Sequence, residues 1–269
     1  MRSFISTALL ALGASAATID YTQNGANWPD LCATGKEQSP IDLTDDATGS
    51  ENIAISLNGY RDYDSGMALS NKGYTLQVDM PANEYNGKMT RTFDSEAQSV
   101  FKLVQFHVHA PSENTINGRL YDMEMHFVHL YDDTDGLAGV LGVFFDREKG
   151  GNADNLFLDQ WLDNGIPASG TSSALSDQFD LSVNGFLSSL DTTHFWSFDG
   201  SLTTPPCTEG VKWAVLKDIQ PISDRQLQLM TNLWAGDNAF ASGKGNNRVT
   251  QPLNGRTVYQ YEVVDPLVE

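Results

Sequence analysis

The chain has 269 residues, enough for one large domain or two small ones, and 40% of them are hydrophobic. A sizeable core is therefore possible, and wholesale disorder is excluded. Lys and Arg number 16 against 35 Asp and Glu, which gives a net charge of −19. That charge repels nucleic acids and anionic membranes, so we expect neither as a partner. No repeat or long linker divides the sequence, and we predict a single domain.

The acidic residues are unevenly distributed between the two types. Aspartate outnumbers glutamate by 25 to 10, and there are eight lysines. Solubility in an extracellular medium explains an acidic surface of this kind. Adaptation to high salt is the sharper hypothesis, and composition alone leaves both open.

The N-terminus has the pattern of a secretory signal peptide. Arg2 precedes an apolar stretch over residues 4–14, and small residues follow as in an A-x-A cleavage site. The stretch is too short to span a bilayer comfortably. The alternatives are an apolar first strand or a membrane anchor. We predict a signal peptide over 1–16, cleaved near Ala16, and a mature domain over 17–269.

Cys32 and Cys207 are the two cysteines of the chain. In an exported protein such a pair indicates one disulfide, which would close a long loop. Two free buried thiols are the alternative.

Most of the mature chain has the pattern of short strands separated by Gly, Asn and Asp turns. The clearest predicted strands cover residues 74–80, 103–109, 123–130, 137–145 and 211–216. Two segments have helical spacing instead, 153–164 and 224–235, the second with Ser223 as its N-cap. Many strands and few helices favour a mainly β domain, although their order cannot be derived from these patterns.

Four of the five histidines lie in two neighbouring predicted strands. Side chains alternate between the faces of a strand, so His107 and His109 share one face. In the second strand His126 points to one face and His129 to the other. If the two strands are adjacent, His107, His109 and His126 meet at one point. We interpret His129 as a buried structural residue.

A set of three neutral imidazoles with an open fourth position is typical of a catalytic zinc site. Gln105 and Glu124 each precede one of these histidines by two residues, on the same face. They can accept the second N–H of His107 and His126, as partners of metal-bound histidines usually do. For any single histidine, a hydrogen-bonded core residue remains the alternative.

Five stretches carry a family resemblance: QSPIDL, QFHVHAPSENTINGR, MEMHFVH, SLTTPPCTEGVKW and NNRVTQPLNGR. Together and in this order, from about Trp28 to Arg256, they resemble the alpha carbonic anhydrases. The resemblance implies a mainly β single domain, built on a large twisted central sheet of about ten strands, mixed and mostly antiparallel. A few short peripheral helices would surround it.

The same resemblance implies zinc-dependent, reversible hydration of carbon dioxide to bicarbonate and a proton, by attack of a zinc-bound hydroxide. The partners would be the small-molecule substrates alone, with the protein a monomer or homodimer. It would be secreted, or held in a periplasm-like oxidising compartment.

The site residues implied by the resemblance fall into five groups. They are the zinc ligands His107, His109 and His126; the partners of these ligands, Gln105, Glu124 and the Asn246 carbonyl; the orienting pair Thr203 and Glu113; the substrate-binding residues Val128, Val140, Leu202, Thr204 and Trp213; and the disulfide Cys32–Cys207. Thr203 would accept a hydrogen bond from the hydroxide and donate one to Glu113, which positions the nucleophile.

The pattern departs from the family at the proton shuttle. Tyr74 stands where fast members of the family have a histidine, and a tyrosine pKa is poorly matched to proton transfer near neutral pH. We therefore predict a slower enzyme that is limited by proton release and depends on buffer.

His194 is expected to be a surface or loop residue.

Two other functions remain as alternatives. One is a carbonic-anhydrase-like protein without activity, used for binding or storage, although such relatives typically lose a zinc ligand. The other is a zinc hydrolase acting on esters, although the small apolar wall that the resemblance implies for Val128, Val140, Leu202 and Trp213 argues against large substrates.

Overall fold

The computed structural model describes residues 19–45, 53–82, 84, 86–93, 99–131, 138–175, 180–233, 243 and 245–262. The predicted signal peptide lies outside these residues. The strands are β1 (Asp42–Leu43), β2 (Ile53–Asn58), β3 (Asp62–Tyr63), β4 (Ala68–Asn71), β5 (Leu76–Asp79), β6 (Lys88–Phe93), β7 (Ser99–His109), β8 (Thr115–Ile116), β9 (Met123–Tyr131), β10 (Ala138–Phe145), β11 (Thr171–Ala174), β12 (Leu181–Ser182), β13 (His194–Ser201), β14 (Glu209–Leu216) and β15 (Tyr259–Glu262). The α-helices are α1 (Leu31–Thr34), α2 (Leu156–Leu162), α3 (Val183–Ser189) and α4 (Asp224–Thr231). No helix in the described part of the chain has the length and apolar character needed to span a bilayer.

Eleven of the described strands form one sheet, which confirms the expected mixed, mostly antiparallel architecture. Its order is β11-β4-β5-β7-β9-β10-β14-β13-β15, and β6 joins β2 to β7. Within this sheet β10 and β14 run parallel, while the other pairs are antiparallel. The five strands β5, β7, β9, β10 and β14 are consecutive neighbours, so side chains from one face of all five can line a common site.

The two faces of the sheet are buried in different apolar clusters. Phe127 packs into the larger cluster together with Phe157 of α2 and Phe186 of α3, whose rings stack 4.3 Å apart. The next residue along β9, Val128, belongs to the second cluster, with Trp213. This alternation follows from the two-residue repeat of a strand. Because both faces of the sheet are covered, β10 is buried along its whole length and is almost continuously hydrophobic.

Side-chain caps mark the first turns of α2 and α4. α4 starts after Ser223, as predicted, and a reciprocal capping box with Gln226 closes its first turn. α2 is shorter than the predicted 153–164, because the Asn155 side chain accepts the Phe157 N–H and caps the helix.

Other predicted boundaries also differ from the structure, and β7 begins at Ser99 instead of residue 103. α4 ends at Thr231, with Asn232 as its C-cap. The predicted range of 224–235 is therefore too long at its C-terminal end. The strand predicted over 74–80 begins at Leu76, since residues 72–75 form a turn closed by the Lys72 N–H and the Thr75 carbonyl.

The predicted disulfide between Cys32 and Cys207 is confirmed, and it joins residues 175 positions apart. It ties α1 to the loop between β13 and β14. The Cys207 carbonyl also accepts the Gln38 amide at 3.0 Å, so both cysteines are anchored to the same N-terminal segment.

Replacing both cysteines, Cys32→Ser with Cys207→Ser, is expected to lower the free energy of unfolding by about 2–5 kcal/mol, because the unfolded chain regains the entropy of an open loop. Denaturant titration of the metal-free protein measures the change. Reduced wild-type protein is the matched control, and its unfolding midpoint should equal that of the double variant. An unchanged midpoint would contradict a stabilising role.

Candidate metal centre

Three histidines converge where β7 pairs with β9. In this antiparallel register His107 lies directly opposite His126, and His109 lies opposite Glu124. The ring centroids of the three histidines are 4.8–5.2 Å apart. One nitrogen from each ring lies within 4.8 Å of the others, with His109 and His126 buried and His107 partly exposed. The two strands thus form a group of three donors that could hold a metal ion.

The partners of the first two rings decide which nitrogen faces the centre. His107 Nδ1 lies 2.9 Å from Gln105 Oε1, and His109 Nδ1 lies 2.7 Å from the Asn246 carbonyl. Both partners are oxygen acceptors, so each Nδ1 carries the proton and each Nε2 keeps its lone pair.

His126 has the opposite arrangement. Its Nε2 lies 3.0 Å from Glu124 Oε1, so the lone pair that faces the centre is on Nδ1. Glu124 Oε2 accepts the backbone N–H groups of Glu113 and Asn114, and the Asn114 side-chain amide donates to Oε1. Burial raises the pKa of Glu124, but His126 and these hydrogen bonds outweigh that effect and hold the pKa below its usual range. The carboxylate is therefore a fixed, ionised partner for His126.

The donor set fits a metal ion such as zinc. Burial, together with repulsion between the imidazoles, lowers the pKa of His107 and His109 well below the usual value, so both rings are neutral. The buried His109 Nε2 has no hydrogen-bond partner among the described residues. An unpaired buried nitrogen is costly unless something binds it. Three neutral imidazoles are a set that zinc accepts.

Glu113 lies beside the ring nitrogens that face the centre. Its Oε2 is 3.4 Å from His109 Nε2 and 4.0 Å from His126 Nδ1, while Oε1 accepts the Arg248 backbone N–H at 2.9 Å. Burial raises the pKa of Glu113 to about 7, against the opposing effects of His126, the Thr203 side chain and the Arg248 N–H. A cation at the histidines would favour the ionised carboxylate.

The three histidines form the floor of a cavity of about 190 Å³. Its apolar wall comes from neighbouring strands, because Val128 pairs with Val140 and Val140 pairs with Trp213. The remaining lining residues are apolar Leu202 and the polar residues Tyr74, Thr75, Gln77, Gln105, Thr203 and Thr204. Gln77 pairs with His107 from β5, on the side of the histidines away from the apolar wall, whereas Gln105 pairs directly with Val128.

The structure brings most of the sequence-predicted site residues to this cavity. Glu124 and Asn246 lie behind the histidines, and Glu113 lies beside the nitrogens that face the centre. The other predicted site residues, apart from the cysteines, line the cavity wall. The remaining histidines lie elsewhere. His129 is fully buried on the other face of β9 and contacts the Tyr60 hydroxyl, and burial lowers its pKa to about 4. His194 begins β13, with its side chain 41% exposed beside Asp191.

Sequence reasoning missed four residues around the centre. Thr75 and Gln77 line the cavity, Asn114 donates to Glu124, and the Arg248 N–H holds Glu113. Gln77 could have been found from the strand period only if the pairing of β5 with β7 were known. The backbone contact from Arg248 has no signal in the sequence.

A family model for the eukaryotic-type carbonic anhydrases matches residues 23–262. The chain belongs to this family. A carbonic anhydrase of Neisseria gonorrhoeae is 38% identical over 86% of this chain and 79% of its own length. The Photobacterium profundum alpha-carbonic anhydrase structure covers 88% of this chain and 94% of its own, with TM-score 0.68 and 33% identity. Dioscorin dioA3 of Dioscorea japonica is 30% identical over 91% of this chain and 85% of its own length.

The variant Glu124→Gln is expected to weaken metal affinity by roughly 10–100-fold, because the acceptor that orients His126 loses its charge. Competition between the metal-free protein and a chelator, with Zn²⁺ as the probe, measures the change. Asp146→Asn, which alters another buried carboxylate outside the cavity, is the matched control and should bind like wild type. Equal affinities of Glu124→Gln and the control would show that Glu124 does not support the centre.

Proposed function

We propose that the protein is a zinc-dependent carbonic anhydrase that catalyses the reversible hydration of carbon dioxide to bicarbonate and a proton. The observation that carries the proposal is the position of three imidazole nitrogens within 4.8 Å of one another, beside an apolar wall in a small cavity. A metal site that can generate a nucleophile, next to an apolar surface, suits a small nonpolar substrate.

His107, His109 and His126 hold the zinc in this proposal. When bound, zinc supplies the Lewis acidity that generates a hydroxide nucleophile from water. Because the three protein ligands are neutral, none of them cancels the charge of the ion. Gln105, Glu124 and the Asn246 carbonyl fix the ring orientations from the other side.

Thr203 and Glu113 orient the nucleophile. One oxygen of Glu113 is occupied by the Arg248 N–H, so the other is left for the Thr203 hydroxyl. A hydroxyl that donates to a carboxylate can only accept from a group on its cavity side. A hydroxide held at the centre would therefore donate its hydrogen to Thr203, and Thr203 would orient it toward the substrate, which is a positioning effect.

The apolar wall holds carbon dioxide by dispersion contacts. Val128, Val140 and Trp213 present this surface from three adjacent strands, and Leu202 and Thr204 extend the lining from the loop after β13. Trp213 is fixed by a hydrogen bond to the Ser201 carbonyl at 3.1 Å and by stacking on Phe198. A rigid wall of this kind does not need to reorganise when the substrate binds.

We also propose export to an oxidising compartment. The Cys32–Cys207 disulfide supports it, because such bonds persist mainly outside the cytosol. The proposal includes the signal peptide over 1–16 and a catalytic domain over 17–269, acting as a monomer or homodimer.

Stopped-flow measurement of carbon dioxide hydration tests the proposed activity directly. Turnover should disappear on zinc chelation and return when zinc is restored. Thr203→Ala should lower turnover by about 100-fold, since the nucleophile loses its orienting acceptor. Thr203→Ser keeps the hydroxyl and is the matched control. A zinc-loaded protein without activity would favour a binding function, while faster turnover of an aryl ester would favour a hydrolase.

Tyr74 limits the rate in this proposal, because the described lining of the cavity contains no acidic or basic side chain and no histidine besides the three proposed ligands. Tyr74 lines the cavity, and burial raises its pKa further above the usual tyrosine value. It is therefore a poorer proton carrier than a free tyrosine would be. Protons released at the histidine centre leave through water and buffer.

The variant Tyr74→His is expected to raise turnover at low buffer concentration by roughly tenfold or more, because an imidazole accepts protons near neutral pH. The same stopped-flow assay, run across a series of buffer concentrations, measures the effect. Tyr74→Phe adds no titrating group and should not raise turnover. Wild-type turnover that is fast and independent of buffer would contradict the proposal.

A further inference from the structure

The surface of the protein carries an excess of negative charge that its basic residues do not cancel. The net charge is −19, and several of the basic residues lie in local clusters in which acids outnumber them. These clusters are Arg119 with Asp146 and Glu148, Arg147 with Asp122 and Asp224, and Arg225 with Asp154, Asp159 and Asp163. Each cluster is net negative, so the field at a distance is that of an anion.

The side chains that line the cavity carry no positive charge that would offset this field. None of its described lining residues is a lysine or an arginine. Lys72 lies two residues before Tyr74, but its ammonium is 3.7 Å from the Asp79 carboxylate. Asp79 in turn accepts hydrogen bonds from Gln77 of the cavity wall and from Ser70. A diffusing anion therefore finds no free cation on this wall.

We propose that the external base that accepts the proton is electrically neutral, of the imidazole type, and not an anion such as phosphate. This inference rests on the proposed function, because it concerns the second substrate of the same site. The released proton forms an N–H bond to the neutral base, and the product leaves as a cation. Protons and charge balance without any further reactant.

The preference follows from the work of bringing each base to the cavity. A negative potential lowers the local concentration of an anion by a factor that multiplies with each unit of its charge. A neutral base approaches without this cost, and the same field stabilises the charge that the base acquires. In the reverse reaction the proton donor is the matching cation, which the field concentrates.

A series of three buffers with similar pKa values isolates the effect of charge. The basic forms of imidazole, morpholinopropanesulfonate and phosphate carry none, one and two negative charges. In stopped-flow hydration by the zinc-loaded full chain at about 10 mM ionic strength, the second-order rate constant of the buffer step should fall about threefold or more with each charge. At about 0.5 M the differences should shrink below roughly twofold, because salt screens the field.

Equal or faster proton transfer to phosphate at low ionic strength would overturn the inference. Absence of hydration in all three buffers would overturn the proposed function instead. A second experiment measures the electrostatic potential at the cavity and does not depend on enzyme activity.

Paramagnetic relaxation of backbone amides reports this potential directly. We expect a cationic nitroxide to relax the amides of Gln77 and Thr204 in isotope-labelled protein several-fold more than an anionic nitroxide of the same size, at low ionic strength. The two effects should converge in high salt. Equal relaxation by both probes at low ionic strength in the zinc-loaded protein would overturn the inference.

Charge reversal at exposed acids outside the cavity provides a matched set of variants. Glu37, Asp64 and Asp180 are exposed, and changing all three to Lys takes the net charge from −19 to −13. The phosphate rate constant should rise in this variant, while the imidazole rate constant should stay within about twofold. The control with Glu37→Asp, Asp64→Glu and Asp180→Glu keeps the charge and should match wild type. A phosphate rate constant that does not rise would contradict a field effect.

Discussion

The antiparallel pairing of β7 with β9 is the constraint on which the site depends. It places His107 directly opposite His126 and sets His109 beside them on the same face. A slip of one residue would turn every side chain of β9 to the other face. His126 would then enter the apolar cluster, where Phe127 now packs, and the three-donor set would be lost. The same two-residue repeat sends His129 away from the centre, so two histidines three residues apart have unrelated roles.

Behind the histidines lies a buried polar network that connects distant parts of the chain. Arg248 is almost fully buried, and its guanidinium donates to the carbonyls of Cys32 and Ser39 and to Gln38 Oε1. Its backbone N–H holds Glu113. The N-terminal segment, the disulfide and the carboxylate beside the centre are thus linked by one residue, through its side chain and its backbone N–H. Because buried polar groups are costly unless they are paired, such a network specifies one arrangement of these segments.

The histidine arrangement could be predicted from the sequence because it depends on a local repeat, the alternation of side chains along a strand. Ser223 was found for the same reason, since a cap and its helix are neighbours in the chain. The position of Gln77 beside His107 depends on which strand pairs with β7, and the Arg248 contact joins residues 135 positions apart. Contacts of this kind are set by tertiary packing, and no local pattern encodes them.

The charge of the molecule is divided between a neutral interior site and an acidic exterior. Imidazole ligands bind a cation without cancelling its charge, which then remains available at the cavity floor, whereas the surface as a whole is strongly anionic. A neutral substrate crosses this field without work, and an anionic product is driven outward once it leaves the cation. The field cannot alter the overall equilibrium, because it slows the return of the anion by the same factor that favours its departure. What it can change is which small molecules reach the cavity, and the acidic surface favours neutral and cationic ones.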